Sequence, residues 1–284
     1  ETIDAVTINT PTFTHKQIAL DCIRAGKHVY VEKPITQTAE ELVEVLAEAR
    51  KSNKVFLGGS NGLLQRQMRM FRQLVSSGRM GETYLMTIDR CSSRNQEYGM
   101  HSLSGKHGSG ISSHSGSHNV EWALYLLGDP NPVSVQARGY YQTQSLSLSG
   151  VPETYDDDTC IATVYFDNGA TFLFKALRAA PGQDKYVMNL YGDKMSLSYD
   201  VLKCYKQQSD DCIHLYEHDP ILGMQEIIPK FQCGKTHADM YEHFFSCIRD
   251  HIPCISNGDR GLVTMRILDA MEQSILHGGC QIFL

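Results

Sequence analysis

Within its first sixty residues the chain repeats one unit: a short β-branched run, a turn residue, then apolar positions at helical spacing. Ile3 to Ile8 reads as a strand closed by Asn9, Thr10 and Pro11. From His15 to Ala25 the residues Ile18, Ala19, Cys22 and Ile23 form a helical stripe, and Gly26 stands where such a helix ends. His28 to Val31 is a second strand, stopped at Pro34. Thr38 and Glu41 have the spacing of a capping box, and Leu42, Val45, Leu46 and Ala49 supply the buried face of the helix that follows. Val55 to Leu57 is a third strand. Strands joined by helices run parallel, because each crossover returns the chain to the same end of the sheet. The segment therefore predicts part of a doubly wound α/β sheet.

From about Gly62 the rhythm changes. A helix is expected near Gln65 to Ser77, a strand from Thr83 to Arg90, a Ser-, Gly- and His-rich loop from about Ser92 to Ser117, and a helix from Asn119 to Leu127. Strands follow at Val133 to Tyr141, Thr159 to Phe166, Thr171 to Ala176, Tyr186 to Tyr191 and Met195 to Tyr199, with Asp167-Asn168-Gly169 as a hairpin turn. Helices over Thr236 to Asp250 and Gly261 to His277 close the chain. The fold class is α/β: a partial parallel sheet over residues 1–62, then an α+β domain over residues 63–284 on a large, mostly antiparallel open sheet.

Composition excludes several classes. A net charge of -6 with scattered Lys and Arg gives no field for a phosphate backbone, so no nucleic-acid partner is expected. No apolar run approaches the roughly 18 residues that span a bilayer, so no membrane partner is expected either. The nine Cys are dispersed without a C-x-x-C pair, which argues against a zinc ribbon and reads as reduced thiols in a cytoplasmic protein. Glu1 leads almost at once into a strand, so the chain reads as beginning inside a domain.

Two segments carry chemistry. Glu32-Lys33-Pro34 stands at the carboxyl end of a parallel strand, where open α/β sheets hold ligands, and a Lys buried there loses affinity for its proton. The second runs from Gly108 through His114, Gly116 and His118 into the helix with Glu121 and Trp122. Glycines allow close approach of backbone to ligand, and an imidazole at a helix start favours its neutral, proton-accepting form.

Together these segments resemble the Gfo/Idh/MocA family of oxidoreductases. The motifs stand here as Thr10-Pro11-Thr12-Phe13-Thr14-His15, Glu32-Lys33-Pro34 and His114-Ser115-Gly116-Ser117-His118-Asn119-Val120-Glu121. Asp157-Asp158 before a strand, the Asp167-Asn168-Gly169 hairpin, Glu242-His243-Phe244 and Gly261 to Asp269 extend the likeness over the whole chain. The resemblance implies a Rossmann-type first domain and hydride transfer between NAD or NADP and a hydroxyl or keto carbon of a sugar, inositol or related polyol. It implies Lys33 and His118 as catalytic groups, with Asn9, Thr10, Pro11, His15, Glu32, Lys33 and Asn61 against the cofactor. It also implies a homodimer or homotetramer, for which the open sheet face offers a surface.

This sequence departs from the family pattern in three places. His114 replaces the usual Asp of the Gly-rich loop and becomes a third catalytic candidate, and Glu121 replaces a second Asp. No strand followed by G-x-G-x-x-G lies in these residues, so a preceding segment is expected to hold the pyrophosphate, and the 284 residues alone are expected to bind cofactor weakly. Other readings are a metal site at His114 and His118 with His101 and His107, a redox-elimination glycosidase using NAD transiently, and a non-catalytic sugar-binding subunit. Gly116 argues for a loop rather than a helical metal pair, and no metal ligand set is assigned.

Overall fold

A computed structural model describes residues 3–59, 61–93, 110–141, 157–206, 211–230 and 237–284. His101, His107 and most of the loop expected over Ser92 to Ser117 fall outside them, as does the Ser-rich stretch 142–150.

The first sheet is parallel in the order β1 (Ala5–Ile8), β2 (His28–Val31), β3 (Phe56–Gly58), with α1 (His15–Arg24) and α2 (Ala39–Lys51) as crossovers. The α2 cap forms as its sequence requires: Thr38 Oγ1 accepts the Glu41 backbone N–H. The Glu41 carboxylate reaches one residue further back, accepting the Gln37 N–H at 2.9 Å.

A nine-stranded sheet follows the helix α3 (Arg66–Ser76). Its strands are β4 (Thr83–Ser93), β5 (Pro132–Tyr140), β6 (Thr159–Phe166), β7 (Thr171–Ala180), β8 (Lys185–Gly192), β9 (Met195–Asp200), β10 (Ile213–Asp219), β11 (Gly223–Ile227) and β12 (Ile282–Phe283). The order is β11-β10-β9-β8-β4-β7-β6-β5-β12, antiparallel except for the parallel pair β4 and β7. One face is covered by α5 (Gly116–Leu127) and α8 (Gly258–Leu276), which meet the preceding short helix α4 (Ile111–His114). Met86, Ile88, Phe172, Phe174, Met188 and Leu190 alternate onto this face and are buried. Ile161, Tyr165 and Leu173 point the other way and are exposed. The remaining helices are α6 (Val201–Tyr205) and α7 (His237–Arg249).

The last two helices return to the first sheet. Met240 and Phe244 of α7 pack with Tyr30 and Leu57, while a Cβ at Gly261 of α8 would stand 2.6 Å from Ile35, so that α8 approaches closely. Asp269 accepts the Ala39 N–H at 2.8 Å. Elements from the two ends of the chain thus share one apolar core.

Two expectations need correction. The segment around Gly116 is helical, not loop: Ser115 keeps helical backbone angles between α4 and α5. A Cβ at Gly116 would lie 3.0 Å from Leu268, so the glycine serves close packing of α5 on α8, and that packing outweighs its helix penalty. Cys204 is disulfide-bonded, unlike the free thiols at Cys22, Cys91, Cys160, Cys212, Cys247, Cys254 and Cys280. Absence of C-x-x-C spacing is silent about pairs made through space.

Candidate active site

The carboxyl ends of the parallel strands stand side by side, Ile8 beside Val31 and Val31 beside Gly58. Beyond β1, Asn9, Thr10 and Pro11 are exposed. His15 is buried beneath them, with Nδ1 2.9 Å from the Pro34 carbonyl and Nε2 2.7 Å from that of Thr10. It binds the two strand-end loops together from below. Glu32 accepts the Tyr30 hydroxyl at 2.6 Å and the Lys33 backbone N–H at 3.2 Å, so its carboxylate braces the bend at which the cis Lys33-Pro34 bond leaves the sheet. Tyr30 is itself held edge-on by Tyr241 of α7. Asn61 opens the single helical turn Asn61–Leu64 that follows β3.

Lys33 leaves this edge toward the second sheet. Its Nζ lies 3.4 Å from Nε2 of His114, a contact between segments 81 residues apart. Burial pushes the Lys33 ammonium down to about 8; Glu32 opposes the shift and Arg90 adds to it. A lysine so placed exchanges its proton near neutral pH. His118 is half-buried one turn beyond His114, on the same helical side.

Asp157 holds the turn that presents His114. Its Oδ2 accepts the Ser112 N–H at 3.0 Å, its Oδ1 accepts the Ser112 hydroxyl at 2.6 Å, and its carbonyl accepts the Ile111 N–H at 2.8 Å. Burial raises the Asp157 carboxyl to about 6, against the lowering effect of the Ser112 bonds and of Arg178.

Sequence reasoning missed the wall facing Lys33. Arg90 of β4 donates from Nη1 to Ser115 Oγ at 3.0 Å and lies over the Tyr186 ring, 5.1 Å from its centroid. Tyr186 stacks on Trp122 and donates to Asn119 Oδ1 at 2.7 Å. The signal was available: Met86 and Ile88 set the inward phase of β4, and Arg90 continues it.

Glu121 lies behind this wall. It is buried, accepts the Ser256 hydroxyl, and sits beside Gly59, while Ser256 Oγ also lies 2.8 Å from the Gly58 carbonyl. Glu121 therefore fastens α5 to the end of β3.

The candidates thus fall into two sets. Asn9, Thr10 and Pro11 form an exposed rim beyond β1, with the largely buried Lys33 beyond the adjacent parallel strand, at the edge where open α/β sheets hold ligands. His15 and Glu32 face inward and shape that rim. Lys33 and His114 meet, and His118 follows on α5. Among the described residues no three His, Cys, Asp or Glu side chains gather to hold a metal, and no helix is long and apolar enough to cross a membrane.

Comparison with known proteins agrees with this fold. An oxidoreductase-family model, the Gfo/Idh/MocA NAD-binding Rossmann fold, matches residues 1–60, and the C-terminal alpha/beta domain of the same family matches residues 72–282. Inositol 2-dehydrogenase of Rhizobium meliloti (strain 1021) is 33% identical over 279 residues, 96% of this chain and 78% of that protein. D-glucoside 3-dehydrogenase of Escherichia coli (strain K12) is 24% identical over 282 residues, 95% of this chain and 77% of that protein. A levoglucosan dehydrogenase in complex with NADH superposes with a TM-score of 0.82 at 20% identity, covering 99% of this chain and 80% of that chain, a likeness of fold.

Proposed function

Because the chain belongs to the Gfo/Idh/MocA family of oxidoreductases, whose cofactor is NAD or NADP, we propose that it oxidises a hydroxyl of a sugar, inositol or related polyol, or reduces the corresponding ketone. The contact between Lys33 Nζ and His114 Nε2 carries this reading. It brings two proton-exchanging groups to the mouth of the dinucleotide edge, where an alcohol must surrender its proton.

The nicotinamide supplies the hydride acceptor or donor when bound, with Asn9, Thr10, Pro11 and Lys33 along its edge and Asn61 as a further contact. Lys33 hydrogen-bonds the reacting oxygen and assists the movement of its proton. His114 stands behind Lys33 as the alternate holder of that proton. His118 serves as the general base or acid for the same hydroxyl. His15 and Glu32 keep the two loops in place while this happens.

The exposed outer face of the large sheet, with Ile161, Tyr165 and Leu173, is assigned to self-association as a homodimer or homotetramer.

The test is a panel of hexoses, inositols and sugar acids with NAD and NADP, followed by nicotinamide absorbance, in wild type and in Lys33→Met. The proposal expects cofactor reduction that Lys33→Met abolishes. Glycoside cleavage without net cofactor reduction would replace this reading by the redox-elimination one, and sugar binding with neither reaction would replace it by the non-catalytic one.

A further inference from the structure

The candidate site contains a cation, Arg90, for which the described residues supply no carboxylate partner. Arg90 points inward from β4, opposite Tyr186 of β8 and Ala176 of β7 in the ladder. Its contacts are the neutral Ser115 hydroxyl and the Tyr186 ring, and among the described residues it forms no ion pair. Two neighbouring carboxylates are already engaged. Asp89, the preceding residue, faces out and binds Lys175 at 2.8 Å and Lys185 at 2.5 Å, and Asp157 feels Arg178. Across the site, Lys33 is the second cation, and Glu32 already accepts from Tyr30 and from the Lys33 backbone. Lys33 and Arg90 therefore repel across the site, and Glu32 offsets part of that repulsion at Lys33.

A half-buried guanidinium without an anion has lost hydration that nothing replaces. Its planar fork has five N–H donors, of which the Ser115 bond takes one. The remaining edge matches a carboxylate in shape and charge.

We propose that the substrate is a polyol acid, a sugar carrying a carboxylate, and that Arg90 binds the carboxylate while Lys33 addresses the hydroxyl to be oxidised. This rests on the dehydrogenase reading and narrows its substrate class. It carries a second consequence. Arg90 helps to depress the Lys33 ammonium, so an anion bound between them relieves that repulsion and draws a proton onto Lys33.

The experiment compares hexuronates, the matching neutral hexoses, hexose phosphates and inositols as substrates for wild type, Arg90→Gln and Arg90→Lys. Thermal melting establishes that each variant folds. Expected is a kcat/KM for a hexuronate at least about a hundredfold above that for its neutral hexose. That preference falls to within about tenfold in Arg90→Gln and is partly kept in Arg90→Lys. Calorimetry near pH 8 in buffers of differing ionisation heat shows proton uptake when the hexuronate binds.

Neutral hexoses or inositols turned over as well as hexuronates, with Arg90→Gln indifferent, would overturn the inference and leave the dehydrogenase reading standing. Preference for the phosphates would also overturn it, since the anion would not be a carboxylate. If no polyol reduces the nicotinamide, the dehydrogenase reading falls and calorimetry decides the inference alone. Hexuronate binding lost in Arg90→Gln supports it, and absence of binding overturns it.

Discussion

Lys33 Nζ and His114 Nε2 lie 3.4 Å apart, although one leaves a parallel strand of the first sheet and the other ends a short helix under the second. The contact joins the strand ends of the first sheet to the helices of the second, so Lys33 is reached from both.

Removing Lys33 should separate activity from stability. Lys33→Met is expected to lower kcat by about a hundredfold or more. The folded pKa lies near 8, below the unfolded value, so between about 8 and 10.5 the unfolded chain binds more protons and stability rises with pH. Below that window the native state bears the cost of a buried ammonium. Lys33→Met should therefore raise the unfolding midpoint at pH 7, by an amount on the order of 2 kcal/mol after loss of the Glu32 attraction. Denaturant unfolding at pH 7 and pH 10 checks both statements, with the gain disappearing at the higher pH.

His114→Ala should reduce kcat about tenfold or more with a smaller change in KM, because the ring acts on the proton rather than on binding. An unchanged kcat/KM across pH 6 to 9 would take His114 out of the chemistry and leave it a packing residue.

Asp157 is raised to about 6 by burial. Between about 4 and 6 the native state holds a proton that the unfolded chain has released, so this group makes stability fall as pH rises through that window. Asp157→Asn should flatten that part of the stability profile, a slope worth at most roughly 3 kcal/mol. Chemical denaturation at half-unit intervals of pH reads the slope directly.

Gly59 has φ of +132°, and a Cβ there would stand 2.6 Å from Glu121 Oε1 and closer still to Ser256 Oγ. Gly59→Ala should destabilise by about 3 kcal/mol, combining backbone strain with disruption of the Glu121–Ser256 contact. Ser256→Ala, which removes the hydroxyl and adds no atom, should be milder, at about 1–2 kcal/mol. Equal melting temperatures for wild type and Gly59→Ala would refute the account of this junction.

Legibility in the sequence followed locality. The α1 and α2 stripes and the Thr38 cap could be read because every residue they need lies within a turn or two. Strands β10 and β11 escaped because much of their length is half-exposed and lacks apolar contrast. The α4–α5 helix was misread because Gly116 signals a loop until Leu268, distant in sequence, is known to pack on it. The site divided in the same way. Lys33 announced itself by position at a strand end, and His114 and His118 by a resemblance. Arg90 reveals itself only when the partners of every neighbouring charge are known, which is information a single strand does not carry.

Asp89 and Arg90 are adjacent in β4 and project to opposite sides of the sheet, one into a pair of surface lysines and the other toward Lys33. Ladders on both flanks hold that phase, so a slip of one position would put an acid where the base now faces Lys33. From residue 86 to residue 90, the even-numbered positions face the covering helices, with Met86 and Ile88 in the core and Arg90 at the site, and the odd-numbered ones face the other side. Changes at position 89 and at position 90 therefore act on opposite sides of the same sheet.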